Sequence, residues 1–233
     1  MNYFEGFIIM RIVVRIGGSV LGSPLNEKLI GKYVNTLEKL KNQGHEIVAV
    51  VGGGSLAREF IKVASHLGLD ESKRDWTAIY VSRLFAQLFA ICLANEGCET
   101  VPVSLDTAES CLEEGKVVMM GGLRPGMTTD TVAALIGERI NADLLVKGSN
   151  VDGIYTKDPK KYMDAKKLDK LKFDDLNKLF ELNSHKAGIN QIIDPEAIKV
   201  LQRCKLRTIV VNGYDSENIL AAIKGIQIGT VIE

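Results

Sequence analysis

Three clusters of glycine stand next to residues that hold or neutralise anions. Gly17-Gly18-Ser19 closes the stretch IVVRIGGSV, Gly52-Gly53-Gly54 interrupts IVAVVGGGSLAR, and Gly121-Gly122 opens GGLRPGMTT. Without a β-carbon, a glycine lets a phosphate reach backbone N–H groups, and it admits positive φ. A helix starting directly after such a loop aims its unpaired N–H groups and positive dipole end at the same anion. Arg58 falls in the first turn of the helix expected after Gly54, and Thr128 and Thr129 add hydroxyls to the third loop. The chemistry these residues suit is phosphate binding, with a permanently charged, forked guanidinium at hand. A single glycine triplet is equally well a tight turn; three at matching places point to a shared site.

The elements around them must be strands and helices. Apolar, β-branched runs at 11–16, 47–51 and 116–120 precede the loops, and each reads as a strand buried on both faces of a parallel sheet. Such loops lie at the carboxyl ends of parallel strands, where open α/β sheets bind ligands. Asn26 is expected to cap a helix with Leu29, Ile30, Tyr33, Leu37 and Leu40 facing inward, ended by Gly44. A helix to about residue 67 follows the second loop, then a polar turn over 68–76 carrying Asp70, Lys73, Arg74 and Asp75. Residues 77–95 read as a helix apolar almost all round, interrupted by Arg83 and Gln87. Strands are predicted at 99–105 and 116–120 with a helix at 107–114 between them. A helix at 130–140 and a strand at 143–146, ending on Lys147, complete a βαβαβα pattern, which calls for a doubly wound α/β sheet.

Residues 148–161, GSNVDGIYTKDPKK, read as a loop with a hairpin around Asp152-Gly153. Helices are expected at 174–182, 195–204 (with Asp194 as cap and Pro195 at the first position) and 216–224, and strands at 208–211 and 230–232. No low-complexity linker divides the chain. The reading is one domain of two lobes, about 10–147 and 148–233, with residues 1–9 as an extension.

Composition narrows the partners. The 233 residues are 46% hydrophobic and 25% charged, with 29 basic and 29 acidic side chains, so net charge is zero and no footprint for nucleic acid or an anionic membrane appears. The apolar helix at 77–95 falls short of the ~20 apolar residues of a membrane span and is expected to pack against a second subunit. Cys92, Cys98, Cys111 and Cys204 show no CxxC spacing, and His45, His66 and His185 lie far apart, so no metal cluster can be read. Free cysteines and a start, MNYFEGFIIM, without the marks of a signal peptide place the chain in the cytoplasm by expectation.

Together IGGSV, VVGGGSLAR, GGLRPGMTTDTVAAL and NVDGIYTKDPKK, in this order, resemble the amino acid kinase family, and within it the archaeal branch that phosphorylates UMP. The resemblance implies a three-layer α/β/α sandwich around a mostly parallel, about eight-stranded sheet. It also implies transfer of the γ-phosphoryl of ATP to UMP with Mg²⁺, as a step of pyrimidine nucleotide synthesis. Its members assemble as homohexamers built from dimers. By position, Gly17, Gly18 and Ser19 would line the triphosphate, Gly53 the acceptor phosphate and Gly54 the donor, with Arg58 between them. Asp75 would hold the ribose hydroxyls of UMP. Leu123, Arg124, Pro125, Gly126, Met127, Thr128 and Thr129 would form the uracil and acceptor-phosphate loop. Ser149, Asn150, Tyr155 and Asp158 would hold adenine and ribose. Asp130 is either a plain helix cap or the residue that orients the site's cations.

Many family members carry Lys two residues before the first glycine pair, where this chain has Arg15. Lys147, Lys160 and Lys186 are the other candidates for that cation. A kinase of the same fold acting on carbamate, an acylated amino acid or isopentenyl phosphate is the nearest alternative, although no histidine stands in a glycine loop, as the last would need. A non-catalytic nucleotide- or oxyanion-binding protein is the alternative of a different class.

Overall fold

The computed structural model describes residues 3–4, 7–22, 24–159, 161–176 and 192–233. Ahead of the main sheet, β1 (Tyr3–Phe4) and β2 (Phe7–Ile8) pair antiparallel. The apolar, β-branched run in RIVVRI then makes β3 (Arg11–Ile16), whose Ile12, Val14 and Ile16 bury on one face of the sheet and Val13 on the other. After a single turn, α1 (Gly18–Leu21), comes α2 (Glu27–Asn42), capped by the Asn26 side chain and stopped before Gly44 at φ +85°. Its expected inward residues are all buried.

β4 (Glu46–Val51) runs parallel to β3 and leads through the glycine triplet into α3 (Gly54–His66). The polar stretch after it is helical, not a turn. Asp70 accepts a hydrogen bond from the Lys73 amide (2.9 Å), and α4 spans Glu71–Cys92. The first turn of α4 is exposed to water, so its sequence carries no apolar period. The expected strand at 99–105 is absent. Pro102 has no N–H to donate to a ladder, and Ser104 caps α5 (Leu105–Glu113) by accepting from the Thr107 amide. Only the bridge between Gly97 and Val117 remains there. Cys98 and Cys111 are paired in a disulfide, which corrects the expectation of four free thiols; Cys92 and Cys204 are free.

β5 (Val118–Met120), α6 (Thr129–Arg139) and β6 (Leu144–Ser149) follow. The expected hairpin around Asp152-Gly153 is replaced by a wider pairing, β7 (Ile154–Tyr155) with β8 (Lys167–Leu168). Then come β9 (Lys170–Leu171), α7 (Pro195–Cys204), β10 (Thr208–Asn212), α8 (Glu217–Ile223) and β11 (Thr230–Ile232). Residues 173–176 are helical; the rest of the helix expected to 182 lies outside the described residues, as do Lys160, His185 and Lys186.

The central sheet has seven strands among the described residues, in the order β5-β4-β3-β6-β10-β11-β9, parallel except where β11 runs against β10. Side chains of α2, α3, α4 and α8 cover one face and those of α5, α6 and α7 the other, which gives the expected three layers. The carboxyl ends of β3, β4 and β6 lie side by side, and the site is built there. Among the described residues no helix is long and apolar enough to cross a membrane.

Candidate active site

Strand periodicity decides where the cations point. Arg15 sits two residues after Val13, so it faces the α6 side of the sheet, and Lys147 stands beside it in register on β6. Both reach Asp130 in the first turn of α6: Arg15 Nε lies 2.7 Å from Oδ1, and Lys147 Nζ pairs with the same oxygen. Arg15 also donates to the Thr129 hydroxyl (2.8 Å) and the Ile16 carbonyl (2.6 Å). Burial pushes the Lys147 ammonium down to about 8 from its ordinary 10.5, against the opposing pull of Asp130. For Asp130 burial pushes upward, but Arg15 and then Lys147 outweigh it, and the carboxyl is held below the usual range. Asp130 is therefore not the helix cap; that is Thr128, whose hydroxyl accepts from the Thr131 amide.

The first two glycine loops meet above this triad. The Gly17 amide donates to the Gly148 carbonyl (3.0 Å) and the Gly52 amide to Ile16 (3.1 Å). Gly18 and Gly54 touch backbone to backbone: a β-carbon on Gly18 would lie 2.6 Å from the Gly54 Cα, and Gly54 holds φ +60°. Their glycine identity thus follows from loop-on-loop packing as well as from room for an anion. A cleft of about 370 Å³ opens here, lined by Arg15, Lys147 and Asp130, by the first two glycine clusters with Ser19, and by exposed Arg58. Thr129, Ser149, Asn150 and Ile192 complete its wall. Residues nominated from all four sequence motifs therefore share one cavity. A larger hollow of about 670 Å³, lined by Ala94, Cys98, Glu99 and Glu114 among others, lies at the amino end of β5 and contains none of the glycine loops. The smaller cleft is the one with the chemistry.

Some nominated residues stand apart. Asp75 is not on the cleft wall, but its carboxylate accepts from the Gly126 amide (2.7 Å) and so belongs to the 123–129 loop. In that loop, Leu123, Pro125 and Met127 are half-buried, and Arg124 and Gly126 are exposed. The Thr128 hydroxyl, expected on the acceptor phosphate, instead donates to Asp194 while capping α6, and the Thr131 hydroxyl donates to the same carboxylate. Tyr155 lies outside the cleft wall with its hydroxyl on Asp152 (2.8 Å), and the Asp158 carbonyl closes a turn with the Lys161 and Tyr162 amides. Sequence reasoning missed Asp194, Ser82 and Arg83 as parts of the site's frame. Asp194 was legible as a cap, but its second role depends on a contact 66 residues away in sequence.

The family model described as "Amino acid kinase family" matches residues 10–212. A uridylate kinase of Methanocaldococcus jannaschii is 46% identical over 96% of this chain and all of its own. One from Sulfurisphaera tokodaii is 41% identical over 96% of this chain and 99% of its own. The crystal structure of uridylate kinase from Archaeoglobus fulgidus superposes with a TM-score of 0.85 at 40% identity, covering 96% of this chain and 100% of that one.

Proposed function

The chain belongs to the amino acid kinase family, and we infer that it is a UMP kinase, transferring the γ-phosphoryl of ATP to UMP. The observation that carries this is the cleft itself: a buried lysine and a half-buried arginine clamped by one carboxylate, under a cradle of glycine backbone at the carboxyl edge of a parallel sheet. The likeness to uridylate kinases over nearly the whole chain supports the choice of acceptor.

An oxygen of the UMP phosphate forms a bond to the γ-phosphorus, the bond from that phosphorus to the β,γ-bridging oxygen breaks, and ADP leaves. The attacking oxygen is already ionised at neutral pH, since a phosphate monoester has its second pKa near ~6. No side chain must take its proton, and among the described residues the cleft wall contains neither histidine nor cysteine. What remains is positioning and charge stabilisation. Gly17, Gly18 and Ser19 line the triphosphate, Gly53 and Gly54 stand at acceptor and donor, and Arg58 spans them. Arg15 and Lys147 offset charge on the transferring phosphoryl, and Asp130 holds both in place. Mg²⁺ enters with ATP as part of the substrate. Its oxygen-rich shell suits phosphates and water.

Residues 10–147 then form the acceptor side, with Asp75 and the 123–129 loop on ribose and uracil. Residues 148–233 form the ATP side, with Ser149, Asn150, Tyr155 and Asp158 around the nucleoside. The enzyme works in the cytoplasm in pyrimidine nucleotide synthesis, as a homo-oligomer, a hexamer built from dimers, joined through the exposed apolar face of α3 and α4. An ADP-release assay across UMP, CMP, carbamate, acetylglutamate and isopentenyl phosphate tests the reading. UMP should give the highest kcat/KM, and turnover of another acceptor with UMP inert would overturn it.

A further inference from the structure

The shape of the 121–129 segment is set by one helix. Between β5 and α6 this segment has no ladder of its own, yet α4 grips it at successive points. A β-carbon on Gly121 would fall 2.6 Å from the Arg83 amide nitrogen, so the segment begins flat against the helix backbone. The Gly122 amide donates to the Ser82 hydroxyl (2.8 Å), which itself donates back to Ile79. Arg83 then donates from Nε to the Gly122 carbonyl (2.9 Å) and from Nη2 to the Leu123 carbonyl (3.0 Å). Further along, Asp75 takes the Gly126 amide.

We propose that Arg83 is a positioning residue that presets the acceptor loop, fixing which of its backbone groups are left to meet the UMP base; the proposal rests on the acceptor reading given above. Two consecutive carbonyls held by one planar, forked group fix two peptide planes together. An ammonium can bond the same carbonyls but does not impose their mutual orientation. The guanidinium carbon also lies 5.8 Å from the Trp76 ring centre, a second contact that restrains it. Arg83 does not line the catalytic cleft, so its loss should spare the ATP side and the chemical step.

Steady-state kinetics on purified Arg83→Ala and Arg83→Lys test this. Both should raise KM for UMP at least tenfold, with KM for ATP and kcat within about threefold of wild type, the pattern of lost acceptor binding. Lysine should not restore the wild-type value, because charge without the fork does not hold the loop. A role in stability alone would lower the melting temperature and the active fraction, and so kcat, with both KM values unchanged; that result overturns the proposal. So does an equal rise in both KM values, or full rescue by lysine. If alanine does not fold, the lysine variant decides on the same criteria. A wild-type enzyme inert toward UMP would refute the functional reading before any variant is made, and this inference with it.

Discussion

Arg15 and Lys147 are neighbours in register on adjacent parallel strands, and they meet on a single oxygen of Asp130. Two like charges in a half-closed cleft repel, and the shared carboxylate is what makes the arrangement tenable. Lys147 bears most of the burden: it is 6% exposed and its pKa is pushed down to about 8.

That value gives a pH signature. kcat/KM for ATP reports the free enzyme, so it should fall as pH rises through about 8, where Lys147 loses its proton. Lys147→Met should be slower and should lack this alkaline limb; a limb that persists unchanged assigns the titration to another group. For stability the sign is opposite. Between about 8 and 10.5 the unfolded chain binds a proton at Lys147 that the folded one does not. This group's contribution therefore makes the fold more stable as pH rises across that window.

The glycines of the two loops make a second prediction. Gly54 combines φ +60° with a close approach to Gly18, and a β-carbon there would lie 2.6 Å from the Gly18 carbonyl carbon. Gly54→Ala should cost about 2 kcal/mol or more, as overpacking with a strained backbone does. Thermal melting should show a loss of roughly 5 °C. Gly31 is the control: it lies on the exposed side of α2 with nothing within 4 Å of its would-be β-carbon. Gly31→Ala should hold or raise the melting temperature, since alanine loses less entropy in a helix. Equal effects at the two positions would remove the packing explanation.

Much of this frame was legible in the chain. Continuous apolar, β-branched runs located β3 and β4, and the side-chain alternation of a strand puts Arg15 on the face opposite Ile16, where α6 brings Asp130. Asn26 and Asp194 announced their helices, because a cap is a local contract between a side chain and amides two or three residues on. What stayed hidden depends on distant contacts or on exposure. The first turn of α4 has no apolar face to betray it, so Asp75 looked like a turn residue. The run at 99–105 contains apolar residues, but Val103 is exposed and Pro102 cannot join a ladder. Nothing local shows that the Thr128 hydroxyl reaches Asp194. The mutual fit of Gly18 and Gly54 likewise belongs to two loops, and neither sequence shows it alone.

On the acceptor reading proposed above, Asp75 takes part in binding UMP. One carboxylate oxygen holds the Gly126 amide, and the other is the one to offer a ribose hydroxyl. Asp75→Asn can keep the amide contact through its carbonyl oxygen, while Asp75→Ala loses both. Hydrogen bonds to charged groups are worth ~1.5–3 kcal/mol. KM for UMP should therefore rise about tenfold or more in Asp75→Ala and less in Asp75→Asn, with KM for ATP little changed. An Asp75→Ala enzyme with wild-type KM for UMP would remove Asp75 from the acceptor site.

The last prediction concerns assembly. Helix α4 buries Ile79, Val81, Phe85, Ala86, Phe89 and Ala90 and leaves Tyr80, Leu84, Leu88 and Ile91 exposed, a stripe at helical spacing. Neighbouring α3 contributes Phe60 and Val63, with Leu67 just past its end, all exposed, so part of the apolar surface of these two helices faces outward and not into the core. An apolar face of that extent on two packed helices is expected at a subunit interface and is unfavourable in water. Light scattering on the purified protein should report a dimer or hexamer at micromolar concentration. Val63→Glu with Leu84→Glu places charges on both helices, at side chains 58% and 63% exposed, so the subunit itself should still fold. The double variant should sediment as a monomer with a melting curve that remains cooperative. A wild-type monomer, or a double variant that keeps the wild-type mass, would show that this face does not join subunits.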